Sequence, residues 1–380
     1  MRGDFRKSLF IYGGCIMSFS FALLAVSMPP WATIVVGALL LAVGLFLLVK
    51  GADWFVDGAA GVAAKIKIPA LVIGLTVVAF GTSMPELATS VSSAAQKSVG
   101  IAIGNVVGSN ICNILLILGL SAIIAPLPAN KELLVIDLPV LLGASGLIIL
   151  FGLTGGEIAR WEGGIMAFLL VAYTAFLIWN AFRQRKKERG VSALNDHEVV
   201  STETEKKQSK FNVWYENMKA KLWFLIILTV VGLGIVVGGS VLAVEGAKMV
   251  SYQIGIPENI VGLTVVAIGT SLPELITSVV AAKKGETDIA VGNIVGSNIF
   301  NILFVAGLSA VIFPLPFAPI DPVTGVQTSF LIDSIIALGT AGLLSLFLYL
   351  PGHKLRRWQG ILLLLGAVAY YVYCVLVVVL

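Results

Sequence analysis

Hydrophobic positions run along this chain in long blocks, and polar residues fall almost entirely between them. A helix needs roughly 20 predominantly apolar residues to cross a bilayer. Ten such spans are predicted, near 31–64, 69–95, 99–124, 133–153, 161–181, 222–251, 257–282, 288–313, 330–350 and 358–379. An earlier apolar run, from Leu9 to about Met28, follows a basic start. It predicts an extra N-terminal helix, with a signal peptide cleaved near Ala25-Val26-Ser27 as the alternative. One long polar stretch, Arg183 to Lys221, interrupts the series. Its Lys, Glu, Ser and Asn content is too polar for a packed core and predicts a flexible or partly helical linker.

Composition agrees with the blocks. The 380 residues are 58% hydrophobic and 12% charged, whereas a soluble domain carries about 25% charged residues. The net charge of +4 is a topology signal rather than a nucleic-acid footprint. With the N-terminus inside and the spans alternating, about 21 Lys and Arg face the cytoplasm and about 3 face out. This places the N-terminus and the 183–221 linker in the cytoplasm of a multi-pass protein of the inner or plasma membrane. The three cysteines and the two histidines, His197 and His353, form no disulfide or metal-ligand spacing.

The chain repeats itself. Offset by 188 residues, Pro69–Pro128 aligns with Pro257–Pro316 without a gap, and 37 of about 60 positions are identical. The match extends weakly outward, with Asp57 meeting Glu245 and Arg160-Trp161 meeting Arg357-Trp358. Each unit holds five spans, an odd number, so the second copy enters the membrane upside down. The expected fold is an all-α membrane protein with a ten-span core of two inverted five-helix repeats. Its segments are an N-terminal apolar stretch at 1–30, repeats at 31–182 and 222–380, and the linker between them.

The repeated segments carry the polar chemistry. Gly81-Thr82-Ser83-Met84-Pro85-Glu86 returns as Gly269-Thr270-Ser271-Leu272-Pro273-Glu274. An ionisable residue inside a membrane span is costly and marks function by default. At 3.6 residues per turn, Thr76, Ala79, Ser83, Glu86, Ser90 and Ser93 share a stripe, which must face protein or water rather than lipid. Pro85 and Pro273 lack an N–H, so the carbonyls of Gly81 and Gly269 lose their helical partners. In the next span, Gly104-Asn105-Val106-Val107-Gly108-Ser109-Asn110-Ile111-Cys112-Asn113 returns from Gly292 to Asn301, with Asn105, Ser109 and Asn113 on one face. Packing glue between helices is the plain alternative for these amides. Carboxylates, amides, hydroxyls and freed carbonyls are hard oxygen donors, suited to Na⁺ or Ca²⁺ rather than to soft metals. Two carboxylates balance one Ca²⁺ or two Na⁺, so the two ions compete for the same charge.

These two pairs of motifs resemble the alpha repeats of the sodium/calcium exchanger family, within the cation/calcium antiporter group, as a prokaryotic-type member. The resemblance covers both repeats, and the ten-span layout covers most of the remainder. It implies ion coordination by Ala79, Thr82, Ser83, Glu86, Ser109 and Asn113 and by their twins Ala267, Thr270, Ser271, Glu274, Ser297 and Asn301. It also implies that the first and sixth spans slide as a gate. Some members carry Asp where this chain has Asn113 or Asn301, so site charge here rests on two glutamates, and H⁺ or K⁺ stays open as the driving ion. Lys50, Asp53 and Asp57 read as an ion pair inside the first span or as groups that reach the membrane interface; the alternative is that Asp57 and Glu245 line ion passages on opposite sides.

The expected function is exchange of Ca²⁺ for Na⁺ by alternating access, with both ions bound as substrates, no resident cofactor, and lipid as the only other partner. Rival classes are a passive cation channel and an intramembrane hydrolase using the two glutamates. The sequence offers the hydrolase no histidine in any span and no nucleophile beside one, so the chain is not expected to be an enzyme.

Overall fold

A computed structural model describes residues 28–96, 98–192, 218–255, 267–318 and 330–379. The N-terminal apolar run, the 193–217 part of the linker, the start of the seventh span and the Asp321–Gln327 loop lie outside the described residues.

The described residues are helical nearly throughout. Helix α1 (Pro30–Ile66) opens with Pro30, whose fixed φ suits a first helical position. It closes on Lys67 at φ 53, whose N–H returns to the carbonyls of Ala63 and Ala64. Next come α2 (Ala70–Thr82) and α3 (Met84–Ala95), bent by 47° at Ser83. Pro85 in the first turn of α3 accounts for the break, because it cannot donate back to Gly81. Then follow α4 (Val99–Ile124), α5 (Leu133–Gly155) and α6 (Arg160–Ser192).

The second half repeats this order. It contains α7 (Leu222–Gln253), the short α8 (Ala267–Thr270), α9 (Leu272–Lys284), α10 (Thr287–Ile312), α11 (Leu331–Tyr349) and α12 (Arg357–Val379). Where they are described, predicted and observed spans agree within a few residues. The clearest departure is α6, whose 33 residues reach about 50 Å at 1.5 Å each. It therefore continues past the roughly 30 Å hydrocarbon layer into the segment read as linker.

Two pairs of features echo the repeat. The α-helical ladder widens to π-turns at Asn113–Leu118 in α4 and at Asn301–Ala306 in α10, an arrangement common at functional sites. Two short ribbons also tie the halves. β1 (Leu127–Pro128), after α4, pairs with β4 (Lys354–Leu355), before α12. β2 (Glu157–Ile158), before α6, pairs with β3 (Leu315–Pro316), after α10. Each half thus completes a ribbon begun in the other.

Helices α1 and α7 run against each other for most of their length along a glycine seam. Gly37, Gly44 and Gly51 meet Gly246, Gly239 and Gly232 at seven-residue spacing, and Gly58, seven further on, meets Thr229 and Leu225. A Cβ on Gly51 would lie 2.8 Å from the Val236 nitrogen, and one on Gly232 would lie 2.5 Å from the Phe55 nitrogen. Only glycine allows backbones so close, and the close approach supplies the van der Waals contact that joins helices in lipid.

The α1–α7 pair meets the rest of the molecule unequally. Leu272 and Ile276 of α9, with Val280, pack on Leu48, Ala52, Val236 and Ala243 of the pair. The equivalent face of α3 makes no comparable packing on α7, and Ala88, the counterpart of Ile276, is exposed. Salt bridges reinforce the closed joint. Lys284 Nζ of α9 lies 2.6 Å from Asp57 Oδ1 and 2.9 Å from Asp53 Oδ1, and Lys219 lies 3.0 Å from Asp57 Oδ2. Asp53 and Asp57 are therefore paired with lysines from other elements and not with Lys50, which is exposed, so the ion pair internal to the first span is not formed. Glu245, the counterpart of Asp57, is buried and bonds Lys248 of its own helix at 2.8 Å.

Candidate cation site

The two broken helices cross α4 and α10 at the centre of the molecule, and there the duplicated polar residues meet. Glu86 and Glu274 are fully buried. Each glutamate is held by the other repeat: Ser271 Oγ donates to Glu86 Oε1 at 3.1 Å, and Ser83 Oγ donates to Glu274 Oε1 at 2.9 Å. The hydroxyl precedes each proline at the break, so the bend that frees the backbone also turns a serine across the repeat interface.

The asparagines of α4 and α10 divide into two roles. Asn105 Nδ2 donates to the Glu86 carbonyl at 3.2 Å and to Ser90 Oγ at 2.8 Å. Asn293 Nδ2 treats the Glu274 carbonyl (3.4 Å) and Ser278 Oγ (2.8 Å) alike. Their oxygens accept from threonines of the opposite repeat, Thr82 Oγ1 to Asn293 Oδ1 at 3.0 Å and Thr270 Oγ1 to Asn105 Oδ1 at 3.5 Å. All their polar groups are engaged, so these two brace the glutamate helices.

One turn pair further along, Asn113 and Asn301 are also fully buried, but differently bonded. Asn113 Oδ1 and both amide atoms of Asn301 have no hydrogen-bond partner, and the same holds for Glu86 Oε2 and Glu274 Oε2. A buried polar atom without a partner costs about 1–3 kcal/mol. Four such oxygens, two of them from carboxylates, call for a ligand that accepts oxygen donors. A cation supplies that; an anion or an apolar molecule does not.

The remaining residues expected here line the same region. Thr82 Oγ1 lies 3.5 Å from Ser297 Oγ, which also reaches the Ala79 carbonyl at 3.5 Å. Ser109 turns its hydroxyl onto the Asn105 carbonyl of its own helix. Ala267 begins the described part of α8, and its side chain lies outside the described residues. One freed carbonyl has a use the sequence did not indicate: Gly269 O accepts from Ser240 Oγ of α7 at 2.9 Å. The residue 188 before Ser240 is Ala52, which has no hydroxyl, so Gly81 has no equivalent donor at that position.

Buried carboxylates at the crossing of two broken helices, in an all-helical membrane protein of two similar halves, are the setting of an ion-transport protein. The sodium/calcium exchanger protein family model matches residues 36–179 and 224–379. The chain belongs to that family. It is 34% identical over 363 residues to the sodium/calcium exchanger MaX1 of Methanosarcina acetivorans, covering 89% of this chain and 98% of that protein. It is 36% identical over 301 residues to the inner membrane protein YrbG of Escherichia coli, covering 79% of this chain and 87% of that protein. The solved sodium-calcium exchanger NCX_Mj, soaked with Na⁺ and Sr²⁺, superposes with a TM-score of 0.71 at 32% identity, over 90% of this chain and 98% of its own.

Proposed function

We propose that this chain exchanges Ca²⁺ for Na⁺ across the membrane, with Glu86 and Glu274 carrying the charge of a single central site. The observation that carries the reading is the set of four buried, unpartnered oxygens on Glu86, Glu274, Asn113 and Asn301. Ca²⁺ takes about 6–8 oxygens in a flexible shell. The two carboxylates and two amides begin that shell, and Thr82, Thr270, Ser83, Ser271, Ser109, Ser297 and the carbonyls of Ala79 and Ala267 are the candidates to complete it. Mg²⁺ fits less well, because it demands a stricter octahedron and holds its water. Two negative charges match one Ca²⁺ or two Na⁺, which makes the ions exclusive occupants.

The halves at 31–182 and 222–380 act as inverted repeats around this site. In the described conformation the α1–α7 pair is packed on α9 and parted from α3. With the lysine-rich ends inside, that arrangement seals the cytoplasmic approach and leaves the outer one looser. Sliding of α1–α7 would exchange the two joints and present the site to the other side.

Reconstituted vesicles test this directly. Labelled Ca²⁺ uptake is expected to require an opposing Na⁺ gradient, and replacing Na⁺ by K⁺ or H⁺ gradients in turn identifies the coupling ion. Uptake indifferent to every counter-ion would leave a channel. Glu86→Gln and Glu274→Gln are each expected to lower exchange more than about 100-fold while the protein stays folded, since even outer partners of a bound cation are worth about 10–100-fold. Full exchange in both single variants would remove the site assignment.

A further inference from the structure

The pseudo-symmetry of the site fails at the amides of Asn113 and Asn301. Asn113 Nδ2 donates to Asn298 Oδ1 at 2.9 Å, and Asn298 Nδ2 donates to the backbone carbonyl of Asn110 at 3.2 Å. Asn298 is fully buried. The chain of bonds has a fixed direction, because a backbone carbonyl can only accept. The Asn110 carbonyl therefore requires the NH₂ end of Asn298. That leaves the Asn298 oxygen toward Asn113, which must answer with its own NH₂ end. The oxygen of Asn113 is then turned the other way, and it is this oxygen that has no partner. No such relay reaches Asn301, whose two amide atoms are both unpartnered.

An amide presents to a cation either an oxygen, which binds, or an NH₂ group, which repels it. We propose that Asn298 is a positioning residue that locks Asn113 with its oxygen toward the transported cation, so that the site has one preset amide ligand and one, Asn301, free to turn. Asn298 does this without touching the ion. The inference rests on the reading of Asn113 as a ligand in a Ca²⁺-exchanging site. It predicts an effect on cation affinity rather than on the maximal rate, because only the ligand's orientation is lost.

The test uses full-length protein in vesicles, with the wild type run in parallel. Wild-type exchange validates the functional reading independently; its absence sinks that reading first. Given wild-type exchange, Asn298→Ala is expected to raise the KM for Ca²⁺ about tenfold, in the range seen for outer partners of bound cations, with the maximal rate changed less than about twofold. The deciding measurement is the same change in an Asn113→Asp background. A carboxylate offers oxygen at both positions and needs no orientation, and the Asn298 oxygen would face it unfavourably. There, Asn298→Ala is expected to leave KM unchanged or to lower it. A tenfold rise persisting in that background would mean a general packing defect and overturn the proposal. So would an unchanged KM in the single variant. Asn298→Leu, close in shape, serves as the second single variant. If both it and Asn298→Ala fail to give folded protein, Asn298 serves the fold and the positioning role is refuted.

Discussion

Glu274 and Glu86 sit in nearly equivalent settings, yet the residues that brace them do not share one burial. Asn293 is fully buried, whereas its twin Asn105 is only partly so. Removing Asn293 takes from Ser278 its side-chain donor and from Thr82 one of its acceptors at a fully buried position, a loss of about 1–3 kcal/mol. Water can replace part of Asn105. Asn293→Ala is therefore expected to lower the melting temperature of the purified protein more than Asn105→Ala does. Equal losses would mean that both amides are equally shielded. Sequence alone placed Asn105 on the face of the site residues but did not separate brace from ligand. Both kinds are asparagines on one helix face, eight residues apart, and only their partners across the repeat interface tell them apart. The same is true of Ser240, whose bond to the Gly269 carbonyl has no sequence signature because the two residues meet only through the packing of α7 on the break.

At the level of elements the spans, the breaks at Pro85 and Pro273 and the internal repeat were legible, because each follows from local rules: length of apolar run, a missing N–H, and self-similarity. The glycine seam is written in the sequence, but glycine spacing alone does not say which helix it faces. Gly37, Gly44, Gly51 and Gly58, and Gly232, Gly239 and Gly246, recur every seven residues, the spacing that keeps one stripe facing a partner helix. A seam of glycines gives α1 and α7 a smooth, close contact that holds them together as one body while few side chains interlock them with the core. Gly232→Val would drive a branched side chain into the Phe55 backbone, where even a Cβ comes within 2.5 Å. The helices must then part. The expected result is loss of both folded yield and exchange. Gly234→Val, whose added Cβ meets nothing within 4 Å, is expected to be tolerated. Equal behaviour of the two would remove the close-packing role.

For the whole molecule, what the sequence left open was which joint closes, and the reason is symmetry itself. Two repeats that exchange conformations give two end states of similar energy wherever their residues match. The bias between the states must come from positions where the repeats differ, and the lysine-rich joint collects several. Lys284 corresponds to Gln96, and Asp53 to Val241, while Asp57 keeps an acidic counterpart in Glu245. Lys284 bonds both Asp53 and Asp57 only while α1 lies on α9. These side chains are partly exposed, and such pairs are each worth about 0–1 kcal/mol and are weakened by salt. That is too little to hold a fold together but enough to tilt two near-equal states, since about 1.4 kcal/mol is tenfold in population. Lys284→Gln is therefore expected to leave stability nearly unchanged while raising several-fold the fraction of molecules with α1 parted from α9. Spin labels near the ends of these two helices read that fraction as a second, longer distance. High salt should produce a smaller shift of the same sign in the wild type and none in the variant. A distance distribution unmoved by the substitution would assign the bias to the apolar packing of Leu272, Ile276 and Val280 alone.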